Sequence, residues 1–339
     1  MKKQHGLSLV ELMVALALGL VVSTVLISVF VMSTQTYRTQ DSFAQLQENA
    51  RFALSTIARD VRMAGYRGCL GGRNDTAIPV PVTNNLVNSG QYANNFAVGM
   101  QSFHATGATW SPVLDASVSG ATPAPTAGSD VITLRLAVGA GMPLSAIMAN
   151  PSVDVPLASN AGLSVGSAML IADCVVSSVF KITAVNADQS VSHASDGVNN
   201  ASANLGRAFS TDASVMPIST VTYYVGPSSN APTGTETSLW QQINGVNNEL
   251  AEGVENMQFL FGEDTNTDLS PDRYVTADQV ANFDNVVAVK LGLLMRTIEN
   301  NIAVTAPKYT FNGVANVTPA DRRVRRPFNL TISLRNRTN

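Results

Sequence analysis

From Leu7 to Met32 the chain is almost wholly apolar, and from Ser33 onward polar residues enter without breaking a helical pattern. As one helix, residues 7–32 would measure about 39 Å at ~1.5 Å per residue, enough to cross a hydrocarbon core of ~30 Å with tilt. Beyond it, Phe43, Leu46, Ala50, Leu54, Ile57, Val61 and Ala64 recur at spacings of three and four, an amphipathic stripe. Gln47, Glu48, Arg51, Ser55, Arg59 and Arg62 occupy the other faces. The pattern predicts a continuous helix to about Ala64, ended by Gly65 and Gly68, with one face packed on a globular body.

After Cys69 the period changes. Ile132, Leu134 and Leu136 alternate with Thr133 and Arg135, which predicts a half-buried strand. Ala168–Ala172 and Val175–Val185 read as two more. Val287, Val289, Leu291 and Leu293 alternate in a fourth, and Phe328, Leu330, Ile332 and Leu334 in a fifth. A long helix followed by such strands predicts an α+β fold with an antiparallel sheet over the helix. The segments 121–128, 186–204 and 226–238 are rich in Ala, Asn, Ser, Thr, Pro and Gly, and are expected to be surface loops with too little apolar content to pack.

The organisation that follows is a leader (1–6), a membrane helix (7–32), an amphipathic helix (33–65) and a β-rich body (66–339). Lys2 and Lys3 precede the apolar run, which favours a cytoplasmic N-terminus and a body on the other side. No small-residue cleavage site of the secretory kind follows the run, so it reads as an anchor.

Composition and charge narrow the function. A net charge of −3 argues against a nucleic-acid binder working by broad phosphate neutralisation. Arg322, Arg323, Arg325, Arg326, Arg335 and Arg337 crowd the end of the chain, either as a solvated strand face or as a contact surface. Two cysteines, Cys69 and Cys174, are too few for a tetrahedral metal site. In a body outside the cytoplasm they predict one disulfide, worth roughly 4–5 kcal/mol at most in the chain-entropy picture; two buried thiols are the alternative.

Candidate chemistry in the body is sparse. Gly162-Leu163-Ser164-Val165-Gly166 has the spacing of a nucleophile elbow, with Asp188 and His193 as formal partners, but it lacks a strand before it and a helix after it. No enzyme is expected. Asp264, Asn266, Asp268, Ser270 and Asp272 place side-chain oxygens at alternate positions, as a loop wrapping Ca²⁺ does. Leu269 stands where an EF-hand needs glycine and Val275 where it needs Glu, and a turn capped by Asp and Asn side chains explains the same residues.

One residue does not suit a simple anchor. Glu11 lies inside the apolar run, where a carboxylate costs ~2.5–3.5 kcal/mol on insertion scales. It is the fifth residue after Gly6. The basic leader, Gly6, and Leu7-Ser8-Leu9-Val10-Glu11-Leu12 resemble the signal of type IV pilins and type II secretion pseudopilins. The resemblance implies a prepilin peptidase that cuts between Gly6 and Leu7 and methylates the new amine, with Leu7 standing where the family more often has Phe. Glu11 would then pair with the Leu7 amine of a neighbouring subunit and set its register, since a misplaced subunit leaves a charge unpaired.

The run Arg59-Asp60-Val61-Arg62-Met63-Ala64-Gly65-Tyr66-Arg67-Gly68-Cys69 is similar to the PilW family of minor pilins, with further echoes at Asp173-Cys174, Tyr223-Tyr224-Val225 and Leu250–Asn256. The resemblance implies a minor pilin held in the bacterial inner membrane with a periplasmic body, then carried into a type IV pilus. Its implied partners are the peptidase and other major and minor pilins, with a tip adhesin as a further candidate. Its implied role is to help initiate assembly or to sit near the tip. A type II secretion pseudopilin is the alternative within the class, and a signal-anchored periplasmic enzyme or binding protein the alternative outside it.

Overall fold

A computed structural model describes residues 8–66, 82–173, 175–230 and 235–334. One helix, Leu9–Met63, runs for 55 residues, about 82 Å at ~1.5 Å per residue. Residues 8–38 are exposed along its whole circumference, whereas Leu46, Ala50, Ala53, Ile57, Ala58 and Val61 are buried. The stripe expected from the spacing is therefore the packed face, with Phe43 and Leu54 half-buried at its margins.

That face packs into the largest core, between two sheets. The four-stranded sheet is antiparallel, in the order 273–275, 254–263, 286–296 and 325–333. Its inward positions, among them Phe259, Phe261, Val289, Leu291 and Leu293, share that core with the helix. The ten-stranded sheet is organised by the long strand Ser214–Pro227, which pairs with 131–137 and 237–243 along its second half and with 168–172 and 142–143 along its first. All its other pairings are antiparallel except that of 82–84 with 177–181. The fold is α+β, with antiparallel sheets laid over a long helix, as the change of period predicts.

Two sequence expectations are corrected. Val131–Ala137 is buried on both faces, not one. Its polar side is covered: Arg135 donates to the carbonyls of Val98 (2.9 Å) and Tyr92 (2.6 Å), and Thr133 shares hydrogen bonds with Thr222 (3.0 Å) and Tyr92. These partners offset most of the desolvation cost of the buried polar side, although the Arg135 Nε is buried without a hydrogen-bond partner among the described residues. The segment 186–204 is likewise not a bare surface loop. It contributes the strand Ser190–Ser192 to a small sheet with 155–156 and 184–185, and Val191 joins Phe180, Leu205 and Phe209 in a second core.

Candidate assembly interface on the N-terminal helix

The helix starts on a capping box. The Ser8 hydroxyl accepts the Glu11 N–H (3.3 Å), and the Glu11 carboxylate accepts the Ser8 N–H (2.9 Å). Two N–H groups without a helical acceptor are thereby satisfied, and the negative charge lies at the positive end of the helix dipole. The pattern Ser8-x-x-Glu11 is legible in the sequence, but the reading of Glu11 as an intermolecular partner passed over it. Gly6 and Leu7 lie outside the described residues.

From Leu9 the exposed surface is apolar. An 18-residue stretch has a mean hydropathy of 2.7 and none of it is buried, so the helix is long and apolar enough to cross a membrane. The hydroxyls along it bond their own backbone: Thr24 to the Leu20 carbonyl (2.8 Å), Ser28 to Val25 (2.7 Å) and Thr34 to Phe30 (3.0 Å). Polar groups satisfied inside the helix can face lipid or a neighbouring helix at little cost.

The body first reaches the helix at Gln35, which donates to the Ile302 carbonyl (3.4 Å). Asn49 then donates to the Glu252 carbonyl (3.1 Å), and the Arg326 guanidinium lies 5.4 Å from the centre of the Phe43 ring. Near the helix end, Asp60 is buried. It accepts a 2.6 Å hydrogen bond from the Tyr223 hydroxyl, which in turn receives one from Gln241 (2.7 Å). Burial and the adjacent Asp60 charge push the Tyr223 hydroxyl well above its ordinary pKa, so it acts only as a donor to the carboxylate. Arg59, itself exposed, reaches the other Asp60 oxygen at 3.1 Å.

The helix stops at Ala64, which bridges to Leu136, and Gly65 donates to the Arg135 carbonyl (2.9 Å) with φ +69°. A left-handed residue there is best served by glycine. A Cβ at Gly99 would fall 2.4 Å from the Gly65 Cα, so the helix end and the 92–99 segment touch backbone to backbone.

The Glu252-Gly253-Val254 turn carries the chain from one sheet to the other. Val246–Glu252 pairs with 237–243, Val254–Glu263 pairs with 286–296, and Gly253 sits between at φ +81°. A Cβ there would come 2.6 Å from the Arg296 carbonyl oxygen.

Residues 222–336 match the family model of the Type IV Pilus-assembly protein W (PilW), and residues 1–27 match that of the prokaryotic N-terminal methylation motif. The chain is type IV pilin-like. Its PilW-matching region begins one residue before Tyr223 and spans both the sheet crossover at Gly253 and the whole four-stranded sheet; Asp60 ties the helix to that region. Neither a curated protein nor a solved structure matches the chain.

The remaining sequence candidates separate clearly. Cys69 and Cys174 lie outside the described residues. Two of the four described arginines of the C-terminal group are paired with acids: Arg323 with Glu236 (2.8 Å), and Arg325 with Glu255 (2.7 Å) and Asp321 (2.6 Å). The Arg325 side chain is 5% exposed, so its charge meets acids within the fold, whereas Arg322 and Arg326 are exposed, as a solvated strand face or a contact surface would be. Gly162–Gly166 forms two turns leading into a strand, and His193 is buried with its Nε2 2.8 Å from the Val153 carbonyl oxygen.

In the 264–272 loop the oxygens serve their own backbone. Asp264 accepts the N–H groups of Asn266 (3.2 Å), Thr267 (2.6 Å) and Leu269 (3.0 Å). Asp268 accepts that of Ser270 (2.8 Å), and Asp272 that of Thr265 (2.7 Å), which holds the Asp272 carboxyl below its usual range. Asn266 donates to Asp268 (3.2 Å) and Asp272 (3.0 Å). Among the described residues no three acidic, His or Cys side chains are grouped to hold a metal. These carboxylate oxygens keep further lone pairs, so the loop's hydrogen bonds neither require nor exclude a cation.

Proposed function

We propose that the chain is a minor pilin of the PilW type. It is made as an inner-membrane precursor, cut by prepilin peptidase between Gly6 and Leu7, and incorporated into a type IV pilus through lateral packing of its exposed helix on other pilin helices. Its periplasmic body helps to initiate the filament or caps it near the tip. The observation that carries this reading is the division of one helix into a wholly exposed apolar part and a packed part. A helix used only as an anchor has no need of a carboxylate at Glu11, five residues from the cut. In this reading Glu11 pairs with the amine of a neighbouring Leu7, and its capping role remains available because Ser8 stays in the mature chain.

The test is fractionation of sheared filaments. In a piliated host expressing this chain, the processed form is expected in the sheared fraction at a small fraction of the major pilin, and deletion of the chain should lower surface piliation. Its absence from sheared filaments with unchanged piliation contradicts the pilus assignment, and recovery instead with a secretion apparatus favours the pseudopilin alternative.

A further inference from the structure

The four-stranded sheet has an outward face that neither the helix nor the other sheet covers. Gln258, Gly292 and Asn329 form one cross-strand row on that face, and Leu260, Lys290 and Thr331 the next. The hairpin of strands Tyr309–Phe311 and Val314–Val317 stands over one end. Between hairpin and sheet lies a half-open hollow of about 310 Å³, at the lower end of the range for small-molecule sites.

We propose that this hollow binds an uncharged sugar ring, independently of the filament reading. Its lining fits that chemistry better than a charged ligand or an added strand. Gly292 leaves a flat backbone floor: a Cβ there would lie 3.2 Å from the Asn329 Oδ1 and 3.6 Å from a ring carbon of Phe311. The Phe311 ring thus closes one side with an apolar wall, suited to the C–H face of a pyranose. The rim carries the amides of Asn312 and Asn329, which offer the donors and acceptors that sugar hydroxyls require, while Gln258 already donates to the Gly128 carbonyl (2.9 Å) and to Asn256 Oδ1 (2.9 Å) and accepts from Asn312 (3.4 Å). Asn329 and Thr331 are exposed, and their side chains make no hydrogen bond to another described residue.

Charged ligands match less well. Among the described residues no carboxylate lines the hollow, so a cation finds no counter-charge from them there. The lone lysine in the lining, Lys290, has its ammonium 3.6 Å from the centre of the Tyr274 ring, where it is already held. A peptide adding as a strand would need a free sheet edge, and the hollow lies on a face.

The experiment is saturation-transfer NMR on the full chain in lipid nanodiscs free of glycoside detergent, with glucose, galactose, mannose and N-acetylglucosamine as probes. At least one sugar is expected to receive saturation, strongest at the ring protons that meet Phe311. Gly292→Val fills the floor and should abolish the signal. Gly292 is a strand residue outside the left-handed region, so valine is compatible with its backbone, and an unchanged thermal unfolding curve would confirm folding. Asn329→Ala, at an exposed position, should weaken binding by about tenfold. No saturation of any of the four sugars, or equal saturation in both variants, overturns the proposal. Stronger saturation of adenosine or trialanine, lost in the same variants, overturns the sugar assignment.

Discussion

The two parts of the N-terminal helix share one backbone and opposite surroundings. Through residue 38 every described side chain is exposed and mostly apolar, with Glu11 the lone acid on the membrane-length run. From Ser42 to Val61 one face is buried under two sheets, and the acid on that face, Asp60, has its partner within the same chain. The difference teaches where each part finds its stability. The second is satisfied intramolecularly and belongs to folding. The first leaves its apolar surface exposed and its carboxylate bonded, among the described residues, only to the Ser8 N–H of its own cap, and in the proposed function it belongs to assembly.

The largest effect that sharpens this contrast comes from Glu11→Gln. The amide oxygen still accepts the Ser8 N–H, so the capping box survives, while the charge is lost. If Glu11 balances a neighbouring amine, the loss leaves that charge unpaired at a cost of about 3–5 kcal/mol. Processing should be normal and incorporation into filaments should fall by roughly two orders of magnitude, as read by quantitative blotting of sheared pili. Wild-type incorporation would reduce Glu11 to a capping residue.

Next come paired truncations on the two parts. Ile57→Ala empties a fully buried site in the main core and should destabilise the body by about 2–5 kcal/mol in denaturant unfolding. Leu16→Ala, on the exposed part, should leave body stability unchanged. Equal effects would break the division. A smaller loss is expected from Tyr223→Phe, which removes the hydrogen bond to Asp60 without opening a cavity, about 1.5–3 kcal/mol because the acceptor is charged.

The smallest effect lies at the far end of the body. The Arg325 hydrogen bonds hold the Asp321 carboxyl below its usual range. A depressed carboxyl contributes stability above its unfolded pKa, about 3.9, and loses it as pH falls through the folded value. Asp321→Asn should therefore cost about 0.5–1 kcal/mol near neutral pH, given its partial exposure, and nothing in strong acid. A pH-independent cost would mean that packing, not charge, makes the contribution.

What the sequence disclosed follows from which forces leave a periodic trace. The helix, its buried stripe and the strand 325–333 are legible because burial on one face imposes a period of 3.6 or 2, whereas in 286–296 only Lys290 and Gly292 break an otherwise buried strand. Val131–Ala137 carries the same alternation and misleads, since its polar side is buried too, around Arg135 and Thr133. The 186–204 segment hides its strand because a three-residue strand with a single core residue, Val191, is too short to show a period.

At the candidate site, Glu11 stands out by its cost in an apolar run. Asp60 does not, because a charge on the packed face reads as an interruption of the stripe. Its place three residues after Ile57 carried the signal, but its partner Tyr223 is 163 residues away. The ion pairs of Arg323 and Arg325 with Glu236 and Glu255 were hidden for the same reason: contacts this distant in sequence are set by topology.

The central claim is that the exposed part of the helix is an assembly element released by a cut after Gly6. Mass spectrometry of the mature N-terminus, on protein from a host with an active prepilin peptidase, tests it most directly. The account predicts a chain beginning at N-methylated Leu7. A chain that keeps Met1 in that host would contradict it, and would leave residues 7–32 as an anchor alone.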